Sequence, residues 1–277
     1  MVGDGLPVAI VGVINVSPES FHAGSVYRGE EAIVRAALGM VEAGAALIDV
    51  GARSTAPYRE TAIDDATETA RLGRAVEVLA AKLPVPVCAD TARPGPARAA
   101  LDAGARVLND VSTLRDPEVA RLVAARSAGL IVMASPGGPG GGRPWRARPA
   151  PVATVAAVLR DGLRRARRAG IPRARIVLDP GIGFFRDAGL PWDEWDARVL
   201  ARLRRLRQLM RPICVGISRK SFLGAILGHA DPGSRLSGSL AATAAAVLDG
   251  AALVRTHDVA ETRDAVRVAE RLRAARR

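Results

Sequence analysis

Short runs of Val, Ile, Leu and Ala in this chain stop at polar residues: Asn15, Asp49, Asp90, Asn109 with Asp110, Asp179, Ser218 with Arg219 and Lys220, and Arg255 with His257. A strand buried on both faces reads as an unbroken apolar run, as strands of parallel sheets do. Polar groups placed only where such runs end therefore sit at the C-terminal edge of a parallel sheet. That edge is where α/β barrels carry their chemistry.

The runs alternate with helical patterns along the whole chain. Strands are predicted at Pro7 to Ile14, Ala46 to Val50, Val85 to Ala89, Arg106 to Leu108, Leu130 to Met133, Arg175 to Leu178, Ile213 to Gly216 and Ala252 to Val254. The first four helices are predicted at Glu30 to Ala43, Thr67 to Lys82, Pro94 to Ala103 and Pro117 to Ala128. The last four are expected at Val152 to Ala169, Asp193 to Met210, Leu236 to Leu248 and Asp258 to Ala275. Eight β-α units are the count of a closed (β/α)8 TIM barrel, which needs about 250 residues. The chain has 277 residues, 49% of them hydrophobic, so a single barrel domain over residues 1–277 is the economical reading. Glycines follow the predicted helices at Gly44, Gly104, Gly129, Gly170 and Gly250, where a left-handed C-cap favours a residue without a side chain. The stretch Pro136 to Pro151, rich in Gly, Pro and Arg, is expected to be a loop over the end of the fifth strand, either a lid or a simple linker.

Charge and cysteine usage exclude several classes. The net charge of +12 raises the question of nucleic acid, but only Lys82 and Lys220 are lysines and the arginines crowd onto predicted outer helices, which reads as a solvated face. Aromatic residues make up 3% of the chain, too few for the stacking platforms of a single-strand binder. The apolar run Leu6 to Ile14 is too short to span a bilayer and carries no basic leader or cleavage site, which predicts a soluble, cytoplasmic protein. Cys88 and Cys214 both fall in predicted strands and are expected as buried free thiols.

Asp90, Asn109 and Asp179 would project into one barrel mouth from different strands, offering donors and acceptors together. Such a set suits a flat heterocycle with an amidine-like edge, because a carboxylate accepts two parallel N–H bonds from it. Arg255 and His257 alternate with Thr256, so both point to one side of the last strand and can hold a phosphate. The sequence has no Cys/His cluster and no Ser-His-Asp signature.

In order along the chain come Asn15-Val-Ser-Pro-Glu-Ser-Phe, Asp49-Val-Gly-Ala-Arg-Ser-Thr, Asp90-Thr, Asn109-Asp-Val-Ser, Leu178-Asp-Pro-Gly-Ile-Gly-Phe, Ser218-Arg-Lys-Ser-Phe and Arg255-Thr-His-Asp. This succession resembles the dihydropteroate synthase family over nearly the whole chain. The resemblance implies a pterin-binding barrel that condenses 6-hydroxymethyl-7,8-dihydropterin diphosphate with p-aminobenzoate or a related arylamine, releasing pyrophosphate with Mg²⁺. It implies Asp90, Asn109, Asp179 and Lys220 as the pterin-binding and catalytic set, with Asn15 at the metal. It further implies Thr55, Arg255 and His257 at the diphosphate, and Met133, Phe184 and Ser221 as further substrate contacts, the last two lining the arylamine pocket. A homodimer is the family expectation.

The chain departs from the family pattern at Ala56, where an arginine is usual, and at Met133-Ala-Ser-Pro-Gly-Gly after the fifth strand. It also has Phe185 and Arg186 where a lysine is usual, and His22 is atypical. These departures resemble a divergent branch from organisms that make tetrahydromethanopterin-type cofactors. Ala56, with Tyr58 and the glycines from Gly137 to Gly142, predicts a wider mouth that suits a bulkier arylamine than p-aminobenzoate. Two alternatives share the barrel: a methyl-tetrahydropterin:corrinoid methyltransferase, and a non-catalytic pterin-binding homologue.

Overall fold

The computed structural model describes residues 2–3, 5–16, 29–53, 63–136, 150–186 and 189–276. Eight parallel strands run β1 (Ala9–Asn15), β2 (Leu47–Gly51), β3 (Val87–Asp90), β4 (Val107–Asp110), β5 (Gly129–Met133), β6 (Ile176–Asp179), β7 (Cys214–Gly216) and β8 (Leu253–Thr256). They pair in the order β6-β5-β4-β3-β2-β1-β8-β7, and a parallel bridge between Leu178 and Ile213 joins the two ends. The sheet therefore closes on itself as a (β/α)8 barrel.

The described helices are α1 (Glu30–Glu42), α2 (Asp65–Lys82), α3 (Pro94–Asp102), α4 (Pro117–Ala125), α5 (Pro151–Arg168), α6 (Trp192–Leu200), α7 (Ser221–Leu227), α8 (Leu236–Leu248) and α9 (Val259–Ala275). None is long and apolar enough to cross a membrane.

Side chains alternate across each strand, so every second residue enters the barrel and its neighbours face the helices. The outward set, including Ile10, Ile48, Leu108, Leu130, Ile176 and Val254, packs with Leu72, Leu79, Val119, Leu159 and Trp195 into the main core. The inward set forms a small floor of Val11, Leu47, Cys88, Ile131, Cys214 and Leu253. Both cysteines are free and buried, as expected. Two residues beyond Leu47, Cys88 and Leu253 stand Asp49, Asp90 and Arg255, and two beyond Val107 and Val177 stand Asn109 and Asp179. One step of the pleat thus turns an apolar floor into a polar mouth.

Three local expectations change. The predicted helix Asp193 to Met210 breaks after Leu200 into a 3₁₀ turn over Leu203–Leu209. Leu203, Leu206 and Leu209 are all buried, and a three-residue spacing lines up on one side of a 3₁₀ helix, whereas it drifts around an α-helix. Gly44, Gly104, Gly170 and Gly250 take positive φ after their helices, but Gly129 does not. There Ser127 turns left-handed at φ 54°, and Gly129 opens β5, where a Cβ would lie 3.3 Å from Val107 Cγ2. Finally, α7 follows the Ser218-Arg-Lys-Ser motif, where no helix was predicted.

Candidate active site

The mouth is built around one guanidinium. Arg255 Nε donates to Asp49 Oδ2 at 2.7 Å and Nη2 to Asp90 Oδ2 at 3.0 Å, with a further contact from Nη2 to Asp49 Oδ2. Asn109 Nδ2 reaches the same Asp49 oxygen at 3.4 Å. β8, β2, β3 and β4 thereby contribute one connected polar cluster. Burial pushes the Asp90 carboxyl up to about 7, reinforced by Asp49 and opposed by Arg255. Burial also works against the charge of Arg255, but Asp49 and Asp90 outweigh it and hold its pKa above the ordinary value.

Three buried acceptors in this cluster have no hydrogen-bond partner among the described residues: Asp49 Oδ1, Asp90 Oδ1 and Asn109 Oδ1. Buried polar atoms are ordinarily satisfied, and each orphan costs about 1 to 3 kcal/mol. A ligand that brings N–H donors into the mouth would relieve that cost.

Asp179 closes β6 beside Met133, its register partner on β5, and its Oδ1 accepts the Gly181 N–H at 2.7 Å. Burial raises the pKa of Asp179, with the Gly181 bond, Arg255 and Lys220 opposing it. Lys220 enters from the β7-α7 turn, its Nζ 4.8 Å from the Phe184 ring centroid. Burial, then Arg255, pulls its pKa down to about 8. Ser221 is the first residue of α7, and its hydroxyl accepts from Arg186 Nη2 at 2.7 Å. Arg186 itself lies 4.3 Å over the Trp192 ring.

The neighbouring motif residues have structural work. Asp110 accepts from the Ser112 hydroxyl and N–H and from the Leu114 N–H, holding a turn in which Thr113 and Leu114 both have positive φ. Arg219 is paired to Asp258 at 2.9 Å through Nε, which ties the β7-α7 turn to the exit of β8. His257 Nδ1 lies 3.0 Å from Ser218 Oγ. Asn15 ends β1 opposite Gly51, and a Cβ on Gly51 would lie 3.4 Å from Asn15 Oδ1.

The structure therefore brings Asp90, Asn109 and Arg255 into one cluster and Lys220, Phe184 and Ser221 into a second, with Asp179 and Met133 side by side on β6 and β5. Asn15 and His257 lie at the exits of β1 and β8. Thr55, Ala56, Tyr58, His22 and Gly137 to Gly142 lie outside the described residues. Sequence reasoning gave no role to Asp49, although its place at the end of a buried run was the available signal. It also passed over Glu68, which is 1% exposed on α2. Glu68 accepts from Thr91 Oγ1 at 2.6 Å and Arg93 Nη1 at 3.1 Å and pairs with Arg53 at 3.2 Å. No strand-end pattern marks a buried acid on an outer helix.

A closed parallel barrel with buried carboxylates and an amide at its C-terminal mouth has the layout in which α/β-barrel enzymes carry their chemistry. Residues 11–257 match the family model described as pterin binding enzyme, and the chain belongs to that family. It is 34% identical over 265 residues to the dihydropteroate synthase of Escherichia coli K12, covering 94% of this chain and 90% of that protein. It is 38% identical over 270 residues to a probable bifunctional folylpolyglutamate synthase/dihydropteroate synthase of Halobacterium salinarum, covering 98% of this chain but 32% of that protein's length. The solved Xanthomonas albilineans dihydropteroate synthase with 4-aminobenzoic acid superposes with a TM-score of 0.85 at 35% identity, covering 97% of this chain and 94% of that one.

Proposed function

We propose that this protein is a dihydropteroate synthase, joining 6-hydroxymethyl-7,8-dihydropterin diphosphate to p-aminobenzoate or a related arylamine with loss of pyrophosphate. The observation that carries the reading is the set of orphaned buried acceptors at Asp90, Asn109 and Asp49, which matches the N–H-rich edge of a pterin. Asp179 and Lys220 complete the pterin site: the carboxylate accepts from the amino and ring N–H groups, and the ammonium donates to ring acceptors. The relatives support the rest, since the X. albilineans enzyme has been solved with 4-aminobenzoic acid and with 7,8-dihydropteroate.

The chemistry demands little acid or base. The pterin methylene tolerates developing positive charge, so the protein needs mainly to orient the amine and stabilise the departing diphosphate. Arg255, His257 and Thr55 serve the diphosphate in this reading, while Ser221, Phe184 and Met133 shape the side where the arylamine enters. Among the described residues no three His, Cys, Asp or Glu come together as a metal cage. Mg²⁺ is ordinarily held by one or two protein oxygens, water and substrate phosphates, and the Asn15 side-chain amide at the exit of β1 offers one such oxygen. Bound there with the diphosphate, the ion would neutralise charge on the leaving group.

The same reading includes a cytoplasmic homodimer. Ile226 and Leu227 on α7 and Val268 and Leu272 on α9 are exposed and give it apolar surface to bury. Light scattering of the purified chain tests the dimer. Mixing the protein with the pterin diphosphate, p-aminobenzoate and Mg²⁺ should release pyrophosphate and form dihydropteroate. Tight pterin binding with no pyrophosphate would make the protein a non-catalytic binder. Methyl transfer to a corrinoid would make it a methyltransferase.

A further inference from the structure

Asp196 lies on α6, outside every motif described above, and is 1% exposed. One of its oxygens accepts the Gly183 N–H at 2.9 Å, and the other, Oδ2, is buried with no hydrogen-bond partner among the described residues. A buried carboxylate with an orphan oxygen is costly unless positive charge lies near it. Two cations approach the same glycine from other sides. Arg186 Nε donates to the Gly183 carbonyl at 3.1 Å. The α-carbon of Gly183, at φ +87°, faces Lys220 so closely that a Cβ would lie 3.3 Å from Lys220 Cδ and 3.6 Å from Nζ. Gly183 is thus gripped at its N–H by a carboxylate, at its carbonyl by a guanidinium, and along its open face by a lysine stem.

We propose that Asp196 is a positioning residue for Lys220: it pins the glycine wall against which the lysine lies, and its buried charge favours the protonated ammonium in the barrel mouth. Lys220 faces Asp179 from β6, Asp90 from β3, Arg255 from β8 and Asp196 from α6. Burial and Arg255 drive its proton off, and the three carboxylates retain it. Asp196 in turn faces Lys220, Arg186 and Asp193, and burial raises its own pKa to about 6. Near neutral pH the pair therefore stands as anion and cation. The consequence for turnover rests on the pterin role proposed for Lys220, but the electrostatic coupling does not.

The chain offers a clean readout, because Lys82 and Lys220 are its only lysines and Lys82 is exposed at the end of α2. Protein labelled with ¹³C at lysine Cε should show two titrating signals. Asp196→Asn keeps an oxygen for the Gly183 N–H and removes only the charge, so the Lys220 midpoint should fall by roughly 0.5 to 1 pH unit while Lys82 stays in place. The alkaline limb of kcat/KM should move down by the same amount. Asp196→Ser, whose hydroxyl is smaller and uncharged, repeats the measurement if the amide variant does not fold. A Lys220 midpoint unchanged in either folded variant overturns the proposal and leaves Asp196 as a bond to a turn. Absence of pyrophosphate release by the unaltered protein would instead strike the synthase reading and leave the lysine titration standing.

Discussion

At the scale of single residues, the mouth distinguishes groups that recognise from groups that hold the recognisers in place. In the proposed function Asp179 belongs to the first set, because among the described residues only its Oδ1 is committed, to the Gly181 N–H. Asp179→Asn can keep that bond through its amide oxygen while presenting a donor to the pterin edge. The mismatch should cost roughly 2 to 5 kcal/mol of pterin affinity, read by calorimetry, with an unchanged melting temperature. In the same reading Arg255 belongs to both sets. His257→Ala should leave stability nearly intact, whereas Arg255→Ala strands Asp49 and Asp90 as facing buried acids and should cost roughly 3 to 5 kcal/mol in urea unfolding. Equal stability of the two variants would mean that the carboxylates do not need the guanidinium. In the proposed function Arg186 bears on the choice of amine, because it places a cation beside the Ser221 hydroxyl. Arg186→Ala should raise KM for p-aminobenzoate roughly tenfold or more, the worth of a hydrogen bond to a charged group, and lower dihydropterin affinity less, through the Gly183 carbonyl that it also holds.

At the scale of elements, the β-α turns show what a sequence can and cannot announce. Gly104 follows α3 at φ +112°, and a Cβ there would come within 3.0 Å of Ala80 Cβ. Gly104→Ala should therefore destabilise by more than about 1 kcal/mol, since strain and crowding add. The exposed Ser127 performs the same turn after α4 at φ 54°, so Ser127→Gly should be neutral or stabilising by up to about 1 kcal/mol in the same unfolding assay. The polar mouth was legible in the sequence because the apolar runs stop at Asp49, Asp90, Asn109, Asp179 and Arg255, which share the inner face of their strands, whereas Asp110, one residue past Asn109, falls on the other face. The break at Leu200 was less legible, because Leu203, Leu206 and Leu209 satisfy both a helical and a 3₁₀ reading until packing selects one. Asp196 and Glu68 were not legible at all. A buried acid on an amphipathic helix looks like any solvated acid until the fold shows which partners reach it.

Across the whole molecule, the mouth makes stability depend on pH in a direction opposite to that of a surface rich in salt bridges. The folded protein raises Asp90 from 3.8 to about 7 and Asp196 from 3.8 to about 6. Between those limits the folded state binds protons that the unfolded chain has released, so the free energy of unfolding falls as pH rises. Lys220 acts in the other sense: lowered from 10.5 to about 8, it releases in the folded state a proton that the unfolded chain still holds, so it adds stability as pH rises from 8 to 10.5. The ligand-free protein should accordingly be least stable near pH 7 to 8 in what these three groups contribute. A tenfold difference in proton affinity between folded and unfolded chains is worth about 1.4 kcal/mol. The melting temperature should be higher at pH 6 than at pH 7.5, and Asp90→Asn, which carries no titrating proton, should remove much of that difference. A ligand that donates N–H bonds to Asp90 favours its ionised form and should release protons on binding near pH 6.5. Calorimetric titration with a dihydropterin in two buffers of different ionisation enthalpy measures that release. A zero proton count with unimpaired binding would place the ligand away from Asp90 and separate the acid cluster from recognition.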